Sequence, residues 1–139
     1  MHCVDVTATR TIAAPPDKVA AVMFDPARDP EWIGGARSVE PATSNPLALG
    51  ARTTRHGGFM GKKFSWTTEV AGHDRNHLLH MNFVAGPMKG GSVIYRIEPL
   101  GNASQVSIRN TGPGPQLMGW FVKRSVGKDL DRLAKLVAA

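Results

Sequence analysis

The chain has 139 residues, enough for one substantial core and too few for two ordinary ones, so a single domain over 1–139 is expected. Seventeen Lys and Arg against eleven Asp and Glu give a net charge of +6, but the basic residues are scattered without a block of five or six, which argues against a nucleic-acid tail or a polybasic membrane anchor. The single cysteine, Cys3, excludes an internal disulfide, and with no charged-then-apolar leader and no run of eighteen apolar residues the expected protein is reduced and cytoplasmic, with no DNA partner and no membrane contact.

Val4 to Ala13 alternates, with Val4, Val6, Ala8 and Ile12 in one phase and Asp5, Thr7, Thr9 and Thr11 in the other, which predicts a half-buried strand carrying Arg10 in its apolar phase. Ala14-Pro15-Pro16-Asp17 ends that strand and opens a short helix from Lys18 to Phe24. Asp25-Pro26 and Asp29-Pro30 stop and restart the chain, and Glu31-Trp32-Ile33 predicts a second brief helical turn before Gly34-Gly35. A meander of six strands follows, near 36–42, 50–57, 63–72, 78–85, 91–98 and 104–111. Its turns are expected at Ser44-Asn45-Pro46, Gly57-Gly58 to Gly61, Asp74-Arg75-Asn76, Gly86-Pro87 to Gly90, and Gly101-Asn102. Apolarity selects the inward phases: Phe64, Trp66 and Val70; Leu79, Met81 and Phe83; Val93, Tyr95 and Ile97; Val106 and Ile108.

Gly112-Pro113-Gly114-Pro115 then introduces one long amphipathic helix from Pro115 to Ala139. Met118, Val122, Val126, Leu130, Leu133 and Val137 fall on one side of it and are expected to lie on the inner face of the sheet. Trp120 falls opposite that stripe, to be either packed under a loop or exposed.

This order of elements, together with Thr11-Ile12-Ala13-Ala14-Pro15-Pro16-Asp17-Lys18-Val19, Asp25-Pro26, Glu31-Trp32 and the closing Gly127-Lys128-Asp129-Leu130-Asp131-Arg132-Leu133, resembles the polyketide cyclase/dehydrase and lipid-transport family of the START and Bet v 1-like (SRPBCC) superfamily. The resemblance implies an α+β helix-grip fold: a seven-stranded curved antiparallel sheet wrapped around the long C-terminal helix, with two short helices after the first strand. It also implies a cavity between sheet and helix that holds an apolar or aromatic molecule such as a lipid, a quinone or a polyketide. Members of this family include carriers, cyclases and ribosome-associated proteins, and the fold alone does not choose among them. A cyclase or dehydratase using the same pocket and a ribosome- or protein-associated module are therefore kept beside the binding protein. A homodimer is compatible with each.

The candidate ligand-binding residues are Trp32, Arg55, Trp66, Phe83, Tyr95, Asn110, Met118 and Val122. Tyr95 and Asn110 share the inward phase of their strands, where a hydroxyl or an amide needs a partner that a ligand, water or backbone group can supply. Arg10 either snorkels out or meets an anion, and Asp129, about 20° from Val122 around the last helix, is its candidate internal partner. His77 and His80, three apart in a strand, point to opposite faces, and no cysteine or carboxylate is spaced to complete a metal set, so neither a metal nor another cofactor is expected. His56 is a candidate base without a visible acid partner, and Met60, Met88 and Met118 are candidate flexible residues at an opening.

Overall fold

A computed structural model describes residues 3–41, 45–59 and 61–138. Strand β1 (Cys3–Ile12) is followed by helix α1 (Pro16–Met23), a 3-10 turn (Pro26–Arg28) and the one-turn helix α2 (Asp29–Trp32). Strands β2 (Ala36–Glu40), β3 (Arg52–Phe59), β4 (Lys62–Asp74), β5 (Leu78–Ala85), β6 (Ser92–Leu100) and β7 (Ala103–Pro113) come next, and helix α3 (Gln116–Ala138) closes the chain. All seven strands form one antiparallel sheet in the order β1-β7-β6-β5-β4-β3-β2. Register shifts between Ala36 and Ser38, between Thr67 and Thr68, and between Val70 and Gly72 mark bulges, which bend a strand and increase its twist. The expected turn position Ser44 and the loop position Met60 lie outside the described residues.

One face of this sheet carries the interior. Val4, Ala8 and Ile12 of β1, Val106 and Ile108 of β7, Val93, Tyr95 and Ile97 of β6, and Leu79 and Met81 of β5 are buried on it, in the phases expected from alternation. Helix α1 adds Val19, Ala20, Val22 and Met23, and α3 adds Leu130 and Leu133. The start of α3 rests on β1 through Gly119, where a Cβ would stand 3.2 Å from Val6 Cγ1. From α3, the continuous apolar core takes in only residues from Val126 onward. Met118 is 42% exposed and Val122 half-buried, so the front half of the expected apolar stripe does not reach the core.

Two local expectations are corrected. Gly57 and Gly58 are not a turn but belong to β3, with Gly57 opposite Phe64 on one side and Ala36 on the other. Gly57 is there for close approach: a Cβ on it would lie 1.7 Å from the Gly35 carbonyl oxygen. Arg10 does not meet Asp129 but reaches out of the sheet edge to Asp131, both side chains being about half exposed. Asp129 nonetheless is buried, with other partners. Among the described residues no helix is long and apolar enough to cross a membrane.

Candidate functional site

The inward phase of β3 is Thr53, Arg55 and Gly57, which places a guanidinium on the concave face with 3% of the residue exposed. Such a charge needs an anion and full hydrogen bonding. Asp29, 1% exposed at the first position of α2, supplies the anion: Arg55 Nε donates to its Oδ2 at 2.5 Å. Arg55 Nη1 donates to Thr68 Oγ1 at 2.7 Å, and the Met81 sulfur stands 4.0 Å from Nη2. Asp29 is placed by Asp25, whose carboxylate accepts from the Ala27 N–H and starts the turn leading into α2. Burial pushes the Asp29 carboxyl up to about 6, against the opposing pull of the Arg55 charge.

Tyr95 lies against this pair. Its ring stands edge-on to Trp32 at 5.8 Å between centroids and is stacked on Phe24 at 6.4 Å. Burial raises its hydroxyl pKa, and the Asp29 charge raises it further. Two residues along the neighbouring strand from the partner of Tyr95 is Asn110, 7% exposed between Val6 and Val93, a diagonal neighbour on the same face. The Trp32 indole Nε1 is buried with no hydrogen-bond partner. Neither the Tyr95 hydroxyl nor the Asn110 amide bonds to another described residue. Among the described residues Trp32 Nε1 is thus the one fully buried side-chain polar atom without a partner, where native interiors leave few.

The remaining sequence candidates extend the same face. Trp66 is directly opposite Arg55, and Phe83 directly opposite Thr68, both half-buried. Six of the eight candidates therefore form one patch on the sheet and α2, whereas Met118 and Val122 belong to the front half of α3. Asp29 is the residue that sequence reasoning missed. Its signal is indirect: an arginine in an inward strand phase demands an acid, whereas the Asp-Pro pairs of 25–30 read as helix punctuation.

Asp129 forms a second buried acidic position. It accepts from the Gly34 N–H at 3.0 Å and from Arg132 Nη1 at 2.8 Å, tying α3 to the connection after α2. Burial pushes its carboxyl up to about 6, the two donors pulling the other way. Because the folded-state value exceeds the unfolded one, the native state holds the proton more tightly, and stability falls as pH rises from about 4 through 6. Asp129→Asn is therefore expected to gain on the wild type by on the order of 2 kcal/mol between pH 4 and pH 7. Urea denaturation of both proteins across that range checks it, and a pH-independent difference would contradict it.

A groove of about 490 Å³ opens between α3 and the backbone of Gly34, Gly35 and Gly58, with Phe121, Ser125 and Asp129 on its helical side. A second cleft, of about 410 Å³, lies on the convex face around His56, which alternation turns away from Arg55. There His56 Nδ1 is 2.6 Å from Ser65 Oγ and Nε2 is 3.1 Å from Glu40 Oε2, so His56 has the acid partner not visible in the sequence. The Glu40 side chain is largely exposed, and the row is a solvated cross-strand network. Among the described residues no three His, Cys, Asp or Glu are grouped to hold a metal ion.

A bent antiparallel sheet closed over one long helix is the helix-grip architecture of START and Bet v 1-like proteins. The chain belongs to the polyketide cyclase/dehydrase and lipid transport family, which it matches over residues 4–138. Among solved structures it resembles the Zhui aromatase/cyclase of a Streptomyces species, at 18% identity over 99% of this chain and 94% of that one, with a TM-score of 0.82. It is also similar to TTHA0849 from Thermus thermophilus (22% identity, 96% and 97% covered, TM-score 0.80) and to Ara h 8.0201 (17%, 98% of each, 0.78). No curated protein matches the chain.

Proposed function

We propose that this protein binds an apolar or aromatic small molecule, of lipid, quinone or polyketide type, between the concave face of the sheet and the front half of α3. The observation that carries this reading is Trp32 Nε1, buried without a hydrogen-bond partner among the described residues, beside Tyr95, with Asn110 on the same face. Leaving such a buried N–H unpaired costs about 1–3 kcal/mol, which a ligand oxygen or a displaceable water would relieve. Trp66 and Phe83, half-buried on the same sheet face, and Val122, half-buried on α3, would supply apolar wall. Apolar burial would drive binding and the polar groups would orient the ligand.

A second reading, cyclase or dehydratase turnover in the same place, has one observation in its favour. Asp29, whose carboxyl burial pushes up to about 6, is a buried acid next to the aromatic residues, Trp32 lying on its own short helix, α2. Native mass spectrometry of protein purified from its own host, followed by extraction, tests both readings: a stoichiometric apolar metabolite supports binding, and its conversion on incubation supports turnover. An empty protein that also ignores lipids, quinones and aromatic polyketides in thermal shift would refute both. Tyr95→Phe is expected to weaken the captured ligand roughly fivefold to tenfold while changing stability by less than about 1 kcal/mol. Titration calorimetry of the two proteins reads the difference.

A further inference from the structure

The groove beside α3 has a chemistry that an apolar ligand alone leaves unused. Its helical wall carries Trp120, Arg124, Lys128 and Arg132, spaced four apart along one slowly turning stripe. Cations at such spacings repel one another and weaken a helix unless something negative lies against them. Arg132 is answered by Asp129. Among the described residues Arg124 and Lys128 form no ion pair.

Aromatic surface accompanies the unanswered charge. The Arg124 guanidinium lies 5.7 Å from the centre of the Trp120 ring, and Trp120 stands edge-to-face with Phe121 at 4.9 Å. The two rings remain 56% and 43% exposed. The facing wall is glycine backbone, so a ligand can approach it closely. A Cβ on Gly34 would lie 2.7 Å from Arg132 Nη1, so that glycine also leaves Arg132 room beside Asp129.

The geometry points to this groove as the site of an anionic amphiphile: a free small molecule whose apolar body lies on Phe121 and Trp120 and whose carboxylate or phosphate sits between Arg124 and Lys128. The inference rests on the apolar-ligand reading above and adds a charge requirement to it. A half-exposed rim suits such a head group, because both partners keep part of their hydration while gaining the attraction.

The test compares decanoate with 1-decanol, below their aggregation limits, by amide NMR titration of the wild type and of the Arg124→Gln/Lys128→Gln variant. At low salt decanoate should bind the wild type roughly tenfold more tightly than decanol. It should shift amides at 34–35, 58 and 121–132, and in the variant the preference should fall to about twofold or less. A variant melting no lower than the wild type shows that the loss is not misfolding. Equal affinities in the wild type, a preference that survives in the variant, or decanoate shifts absent from the groove would each overturn the proposal. So would sedimentation with phosphatidylglycerol vesicles without binding of monomeric decanoate, which would assign the patch to a bilayer. The apolar reading is scored separately, by whether the neutral dye N-phenyl-1-naphthylamine binds the wild type.

Discussion

Asp29→Ala is expected to destabilise the protein by about 3–5 kcal/mol, because it strands the Arg55 guanidinium in an interior where only Thr68 and a thioether remain beside it. The effect belongs to the uncompensated charge, not to the net strength of the pair. Asp29→Ala combined with Arg55→Met should therefore recover most of the loss, since a buried pair replaced by apolar volume is often neutral. Urea denaturation of the single and double variants gives the coupling. A single variant within 1 kcal/mol of the wild type would show that Arg55 finds water, and the ion pair would lose its place as the tie between α2 and the sheet. Trp32 closes that same short helix, so the single variant should also lose ligand affinity.

The second large effect is steric. Gly57→Ala should cost about 3 kcal/mol, since its Cβ falls inside the Gly35 carbonyl oxygen and 3.2 Å from Ala36 Cα. The Gly58 N–H, which donates to the same carbonyl at 3.1 Å, would be pulled away with it. Hydrogen exchange should locate the damage: faster exchange along β2 and the first half of β3, little change in β6 and β7. Uniform acceleration would mean instead that the edge and the centre of the sheet open together.

Alternation along β5, β6 and β7 made the inward faces readable in advance, because each strand is buried on one side and each phase holds apolar residues. The turns at Asp74-Arg75-Asn76 and Gly101-Asn102 were equally legible, and Arg75 and Gly101 do take positive φ. Three features were not. Gly57 reads as a turn residue, since sequence does not distinguish a glycine needed for φ from one needed for close approach. The partner of Arg55 lies 26 residues away in another element, and no local periodicity carries that pairing. The stripe of α3 tells which side of the helix is apolar but not where along the helix the core ends, so Met118, on the apolar side, stands exposed. In the candidate site, side-chain type and strand phase were legible for Tyr95 and Asn110; the buried, unpartnered indole N–H of Trp32 was not.

The position of β1 sets an order on how the protein can assemble. Strands β2 to β7 pair with sequence neighbours and can zip up hairpin by hairpin, whereas β1 pairs with β7, Val6 lying opposite Asn110. Closing a loop of that length carries an entropic cost larger than that of local hairpins, and contacts of such separation slow folding. During synthesis the first strand emerges early and waits until residue 113 is free of the ribosome before its edge is covered. Through that interval the backbone groups of β1 that pair with β7 stay open, an unpaired edge of the kind that makes folding chains prone to aggregate.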